Sequence, residues 1–464
     1  MSTQASSTRK WWALALIAAA QFMDTSIIGI ALPKMQTDLG FSQENLTWVF
    51  NAYVIAFGGL LLLGGRLSDL LGARRIFATG WLVLLAGSIT AGAAGNVGTE
   101  LAGRAVQGAG AALIAPSALT LLMMLFGSTQ QELTKALAVY GTAGVFLGGV
   151  ITEYLSWPWV FYINVPIAII ALAATPLLMP NAPARSGSID ILGALTVTAG
   201  LALAVYSIVR APEVGWDSGQ TWGYLTVSAL LLGAFVLIQS RRREPLMRLG
   251  IFTAPNLAAA NVAQLLLGAA WIPMWFFLNL YLQQVLGYSA FPAGAALLPM
   301  TALIMLGMIV IAPRAMQRFG AKPMIVTGLI VLALGLGWMA LVRPTGNFWV
   351  ECCRLHWSPQ QVCRSPSFPP WARRSPPPDP KSGLASGIVN VSYQVGSALG
   401  LAAMTAVAAS FGANQIGDLP ELTNGFSAAF IGAAVITLAG AGVTAVSMRT
   451  AQPDTAVEPV LEQH

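Results

Sequence analysis

The chain has 464 residues, 56% of them hydrophobic and 9% charged, and its 24 Lys and Arg against 18 Asp and Glu leave a net charge of +6. A soluble chain carries about 25% charged residues, so this one cannot cover a water-facing surface, and a count of soluble domains from length does not apply. Its cations stand in short runs between apolar stretches rather than on one basic face, which argues against nucleic acid as a partner and for a polytopic α-helical membrane protein.

A helix needs about 20 apolar residues to cross the hydrocarbon core. Runs of that kind lie near 11–33, 46–64, 76–96, 100–126, 135–153, 160–180, 188–209, 221–240, 256–283, 289–312, 323–342, 384–411 and 426–447. The first follows a polar stretch ending in Arg9 and Lys10. It is too long for a signal-peptide core, so we read it as a retained span with the N-terminus in the cytoplasm. Cations then recur on the same side: Arg66, Arg74 and Arg75 after the second run, Lys135 after the fourth, and Arg185 after the sixth. Arg241, Arg242, Arg243 and Arg248 follow the eighth, and Arg314, Arg318 and Lys322 the tenth. The opposite loops hold few, mainly Lys34, Arg210 and Arg343. This bias predicts a multi-pass protein of the cell membrane.

Polar side chains inside such runs are the candidates for function. Asp24 lies past the middle of the first run, where a carboxylate costs about 2.5–3.5 kcal/mol on insertion scales and usually faces a cavity. It suits a site that alternates between a proton and a cationic substrate; the plainer reading is a carboxylate bonded to a neighbouring helix. On the second run, Asn51 and Tyr53 either line the same cavity or bond helix to helix. Arg104 and Gln107, three apart on the fourth, share a face. Arg104 then either compensates a carboxylate in a cavity or snorkels to the interface. In the fifth run, Gly144, Gly148 and Gly149 permit close helix packing, and Glu153 ends it as a second proton-site candidate. Trp271, Trp275, Phe276, Phe277 and Tyr281 either stack on a flat cation or form a lipid-facing belt. No metal, nucleotide or nucleophile motif is evident, and no glycine-rich phosphate loop, so an ion gradient is the expected energy source, with no cofactor and no enzymatic activity.

Two loops repeat. GGRLSDLLGARR (Gly64 to Arg75) after the second run matches APRAMQRFGAKP (Ala312 to Pro323) after the tenth, with Gly72 opposite Gly320, Asp69 opposite Gln317 and Arg74 opposite Lys322. Such a repeat suggests two related halves. In the first loop Asp69, Arg74 and Arg75 form a compact charged cluster fit to latch one helix bundle to the next.

With these motifs the sequence resembles the major facilitator superfamily, in particular its fourteen-span drug:proton antiporters. Gly65, Leu67, Asp69, Gly72, Arg74 and Arg75 fit that superfamily's loop signature. MDTSIIGIALP (Met23 to Pro33), LAGRAVQGAGAA (Leu101 to Ala112), WPWVFYINVPI (Trp157 to Ile167) and SGLASGIVNVSYQVGSALG (Ser382 to Gly400) are similar to further stretches of that branch. The resemblance implies an all-α major facilitator fold: a six-helix bundle over 1–184, two inserted helices and a linker over 185–250, a second bundle over 251–448 and a cytoplasmic tail over 449–464. It also implies that Asp24 and the arginine at 104 take part in proton coupling, and that the protein exports amphipathic, cationic small molecules by alternating access as a monomer. A narrow exporter of one metabolite or self-made antibiotic, or a transport-defective product, are the alternatives. Two departures stand out: the fifth-span motif is shortened by about ten residues, and Pro158 stands where that branch has Arg between the two tryptophans.

Residues 351–382, where another span is expected, hold all three cysteines, His356, four arginines and eight prolines. A metal site, a Pro-rich loop and an out-of-frame gene segment are the readings. The last is preferred, because Cys, Trp, Pro and Gln codons read one frame over yield an Ala-, Leu- and Val-rich run.

Overall fold

The computed structural model describes residues 11–15, 28–43, 45–126, 156–181, 187–242, 244–247, 249–253, 256–307, 311–344, 380–415 and 417–448. Its described elements are helical: α1 (Ile28–Leu39), α2 (Trp48–Leu71), α3 (Ala73–Gly92), α4 (Val97–Phe126), α5 (Trp159–Tyr162), α6 (Asn164–Leu178), α7 (Ile191–Val214), α8 (Gly219–Arg241) and α9 (Leu257–Leu280). They continue with α10 (Ala290–Ala296), α11 (Leu298–Leu306), α12 (Ala312–Phe319), α13 (Ala321–Met339), α14 (Pro380–Ser410) and α15 (Leu419–Ser447). Among the described residues, 10 helices are long and apolar enough to cross a membrane. Each falls on one of the expected runs. The other three runs, near 11–33, 135–153 and 289–312, lie wholly or partly outside the described residues, as does most of the anomalous segment.

Hydroxyl groups sit inside these apolar helices because they bond back to their own helix. Thr175 donates to the Ala171 carbonyl at 2.6 Å, Thr405 to Leu401 at 2.8 Å and Thr437 to Ala433 at 2.7 Å. That satisfies the polar group without water. Starts are capped where the chain leaves a loop: Asp190 accepts from the Gly193 amide at 2.9 Å, and Asp418 from the Glu421 amide at 3.2 Å. Such caps are typically worth about 1 kcal/mol.

Packing centres on two helices. On the N-terminal side α4 lies against α2 and α3, and on the C-terminal side α9 lies against α14 and α15. α14 also reaches back to α2 and α7, joining the early and late parts of the chain. The largest buried cluster draws residues from α1, the start of α2, α5, α9 and α15. α8, by contrast, leaves Trp222, Leu230, Val236 and Leu237 exposed, as a helix facing lipid would.

The close contacts rest on small residues. A Cβ on Gly108 would stand 2.2 Å from the Tyr53 carbonyl oxygen, and one on Gly64 2.0 Å from that of Ala112. α2 and α4 therefore approach backbone to backbone.

Candidate functional site

The inward face of α4 is polar. Glu100, Gly103, Arg104, Gln107, Gly108 and Ala111 recur at helical spacing, and all are buried. Arg104 is 2% exposed and does not snorkel. Its Nε donates to the Val49 carbonyl at 2.8 Å, using a lone pair at the first turn of α2. Its Nη1 donates to Gln107 Oε1 at 2.7 Å, and Gln107 Nε2 donates on to Ser88 Oγ of α3 at 2.7 Å. Asn164, at the start of α6, adds a longer bond to the same hydroxyl at 3.4 Å. The Arg104 guanidinium carbon lies 4.5 Å from the Tyr53 ring centroid and 5.9 Å from that of Phe161. Charge-assisted hydrogen bonds of this kind contribute about 1.5–3 kcal/mol each, and a desolvated cation–π contact about 2 kcal/mol. The arginine is a buried internal charge tying four helices together.

Of the residues expected to act together, Arg104, Gln107 and Tyr53 do meet. Asn51 is fully buried on α2, but neither amide atom has a hydrogen-bond partner among the described residues, and it does not join the arginine's network. Asp24 and Glu153 lie outside the described residues. One residue was missed by the sequence reading. Glu100 is 0% exposed one turn before Arg104, and neither carboxylate oxygen has a hydrogen-bond partner among the described residues.

The repeated loop forms the junction of α2 and α3. Gly72 there takes φ +92°, and its counterpart Gly320 takes φ +82° between α12 and α13. Only glycine enters that region without strain, which is why the two loops share it. Gly65 packs loosely, its nearest neighbour for an added Cβ being Pro116 at 3.7 Å. Asp69 and Arg75 are exposed, and Asp69 makes no ion pair among the described residues. Arg74 reaches the Met179 carbonyl at 3.5 Å. The ion pair at this end is made by another residue: Arg66 bonds Glu244 at 2.6 Å and the Ser188 carbonyl at 3.2 Å. Bonds from Ser188, first its backbone N–H and then its side chain, together with the Arg66 charge, hold the Glu244 carboxyl below its ordinary range. Beside it, buried Asp190 accepts from Arg242 and, at 2.8 Å, from Gln239.

At the opposite end of α2 three amides close a ring. Gln36 donates to Gln43 at 2.9 Å, Gln43 to Gln284 at 3.1 Å, and Gln284 back to Gln36 at 3.0 Å. Gln284 lies in a π-helical turn, Tyr281–Val285, that extends α9. Its neighbour Gln283 donates to the Ile30 carbonyl at 3.1 Å, and Phe50 meets Phe276 edge-on at 5.8 Å. Trp157 donates to Asp38 at 2.8 Å close by. The aromatic belt expected on α9 is corrected: Trp271, Phe276, Phe277 and Tyr281 are buried between helices. Phe277 packs tilted against Phe426 and edge-on to Phe430 of α15, because this part of α9 is covered by α1, α14 and α15.

The chain matches the model of a family described as the Major Facilitator Superfamily over residues 14–353. It is 37% identical to the cephamycin export protein CmcT of Amycolatopsis lactamdurans, over 94% of this chain and 92% of that protein. With the puromycin resistance protein pur8 of Streptomyces alboniger it shares 35% identity over 88% of this chain and 84% of that one. A bacterial homologue of the human drug peptide transporters PepT1 and PepT2 has the same fold, with a TM-score of 0.62 at 17% identity over 94% and 97% of the two chains.

Proposed function

The chain belongs to the Major Facilitator Superfamily, and we propose that within it the protein exports amphipathic antibiotics in exchange for protons. The observation that carries this reading is the likeness, over nearly the whole chain, to a cephamycin exporter, joined by likenesses to puromycin, tetracenomycin C and methylenomycin A resistance proteins. In this reading the protein is a monomer in the cell membrane with its N-terminus in the cytoplasm. The end carrying Arg66, Arg74 and Arg75 then faces the cytoplasm, and the glutamine ring faces outside. Substrate is moved without being altered.

One feature of the chain supports alternating access with a proton. A buried internal cation at Arg104 gives a carboxylate something to exchange against when it gains or loses a proton. Asp24 is the carboxylate we assign to that exchange, with Gln107, Asn51 and Tyr53 lining the path and Glu153 as a secondary site. The loop of Gly65, Asp69, Gly72, Arg74 and Arg75 is the gate between bundles. Cationic substrates fit a carboxylate site best.

A narrower reading is favoured by the names of these relatives, each tied to a single antibiotic. Efflux of ethidium, puromycin and cephamycin from energised cells lacking their own pumps separates the two. Broad proton-coupled export predicts that ethidium leaves, that a protonophore stops it, and that Asp24→Asn stops it. Export of one antibiotic alone would establish the narrow reading, and efflux indifferent to the protonophore would remove the proton from the mechanism.

A further inference from the structure

Glu100 has no place in the mechanism above. It is buried completely, and it continues the polar face of Arg104 and Gln107 by one turn, about 6 Å along the helix. No hydrogen-bond donor reaches either of its oxygens among the described residues. A carboxylate and a carboxylic acid ask for different surroundings: the first accepts only, the second also donates. A buried acid without donors among the described residues, one turn from a buried arginine, is a group whose partners change when its proton does.

The neighbouring charges are few. Arg104 acts on Glu100 electrostatically. On α2, Tyr53 stacks on that guanidinium. On α3, the charged side chains Arg74 and Arg75 are at the far end of the helix. On α5, the Tyr162 ring lies against Gly92, and on α1, Asp38 is engaged by Trp157. Among the described residues, Arg104 is therefore the charge that Glu100 answers to; Asp24, assigned above to the same guanidinium, lies outside them.

We propose that Glu100 is a proton-carrying residue of the transport cycle, exchanging with Gln107 and the Val49 carbonyl for the Arg104 guanidinium. This rests on the proton-coupled reading. A proton from water on one side of the membrane bonds to a carboxylate oxygen, leaving Arg104 on Val49 and Gln107 as observed. Its release to water on the other side restores the carboxylate, which draws the guanidinium one turn along α4. Arg104 keeps its own proton throughout. Freed from Arg104, Gln107 and the first turn of α2 can shift, which links proton movement to the packing of α2, α3 and α4.

The test uses the full chain in liposomes, with ethidium as probe and Glu100→Gln beside wild type. Expected is loss of pH-gradient-driven ethidium transport in the variant, with ethidium counterflow in the absence of a gradient retained. Glu100→Asp is expected to restore driven transport in part. Infrared difference spectra between low and high pH provide a readout independent of substrate. The carboxylic C=O band should lose a component in Glu100→Gln that remains in Asp24→Asn. An unchanged band in Glu100→Gln overturns the proposal whatever the transport result. So does driven transport equal to wild type, or joint loss of driven transport and counterflow, which marks a packing role. Wild-type ethidium movement indifferent to the pH gradient would instead overturn the proton-coupled reading itself, and the proposal with it.

Discussion

Arg66 and Glu244 meet at 2.6 Å across 178 positions of sequence, fastening the end of α2 to the segment that follows α8. The loop signature draws attention to Asp69, Arg74 and Arg75, yet the ion pair belongs to the residue in its first variable position. The contact therefore joins α2 to the segments that flank the α7–α8 pair.

That contact has a definite pH dependence. Glu244 is held below its ordinary carboxyl value, first by Ser188 and then by Arg66. A group shifted downward stabilises the fold above its unfolded value, near pH 4.3, and loses that contribution as the pH falls through its folded value. Glu244→Gln is thus expected to lower the thermal unfolding midpoint slightly at neutral pH. The gap to wild type should close on acidification below that range. Thermal scans of both proteins in detergent from neutral to acidic pH check this, and a gap that widens on acidification would contradict it.

The hydrogen-bond chain from Val49 through Arg104 and Gln107 to Ser88 predicts graded damage. Ser88→Ala strands the Gln107 amide in a buried site, a loss of about 1–3 kcal/mol. Arg104→Lys keeps the charge but cannot present the planar fork that serves Val49 and Gln107 together. It should therefore insert normally and lose efflux, while Ser88→Ala keeps efflux and unfolds at lower temperature. Unfolding midpoints and ethidium efflux on the same two variants decide between these effects.

Glycine substitutions separate what a motif shows from what packing requires. Gly65 belongs to the loop signature, but an added Cβ there meets only Pro116 at 3.7 Å. Gly65→Ala should be neutral or stabilising by up to about 1 kcal/mol, since alanine is the better helix former. Gly64→Ala should be destabilising, because its Cβ would overlap the Ala112 carbonyl. Gly72→Ala and Gly320→Ala should each cost on the order of 1–3 kcal/mol from their positive φ. Equal tolerance at 64 and 65 in a stability assay would overturn the packing account.

What the sequence made legible follows from the range of the signal. Run length alone located the ten described spans, because each must satisfy its backbone internally and be apolar throughout. The repeat placed Gly72 opposite Gly320, and both take the same unusual backbone region. Side-chain partners were less accessible. Glu100 stands at the first residue of an expected span, although its spacing of four from Arg104 was a usable signal. The buried aromatics of α9 could not be told from a lipid-facing belt, since both are apolar and only the neighbours differ. Gln284 carried no local signal at all, its partners being 241 and 248 positions away.

The glutamine ring makes the last prediction. Each amide in it both donates and accepts, and Gln284 takes part in two of its bonds, to Gln43 and to Gln36. Neutral hydrogen bonds contribute about 0.5–1.5 kcal/mol each, so their loss in Gln284→Leu weakens this contact by about 1–3 kcal/mol. Since about 1.4 kcal/mol is a factor of ten in population, a state open at this end should gain roughly five- to hundredfold. Spin labels on Ser42→Cys and Ser289→Cys, with the three native cysteines replaced by serine, report the distance across the contact. Gln284→Leu should move population to longer distances, and the shift should shrink in Gln284→Asn, which keeps the amide. A distance distribution unmoved by Gln284→Leu would mean that the Phe50–Phe276 contact and the bond from Gln283 to the Ile30 carbonyl hold this end closed without the ring.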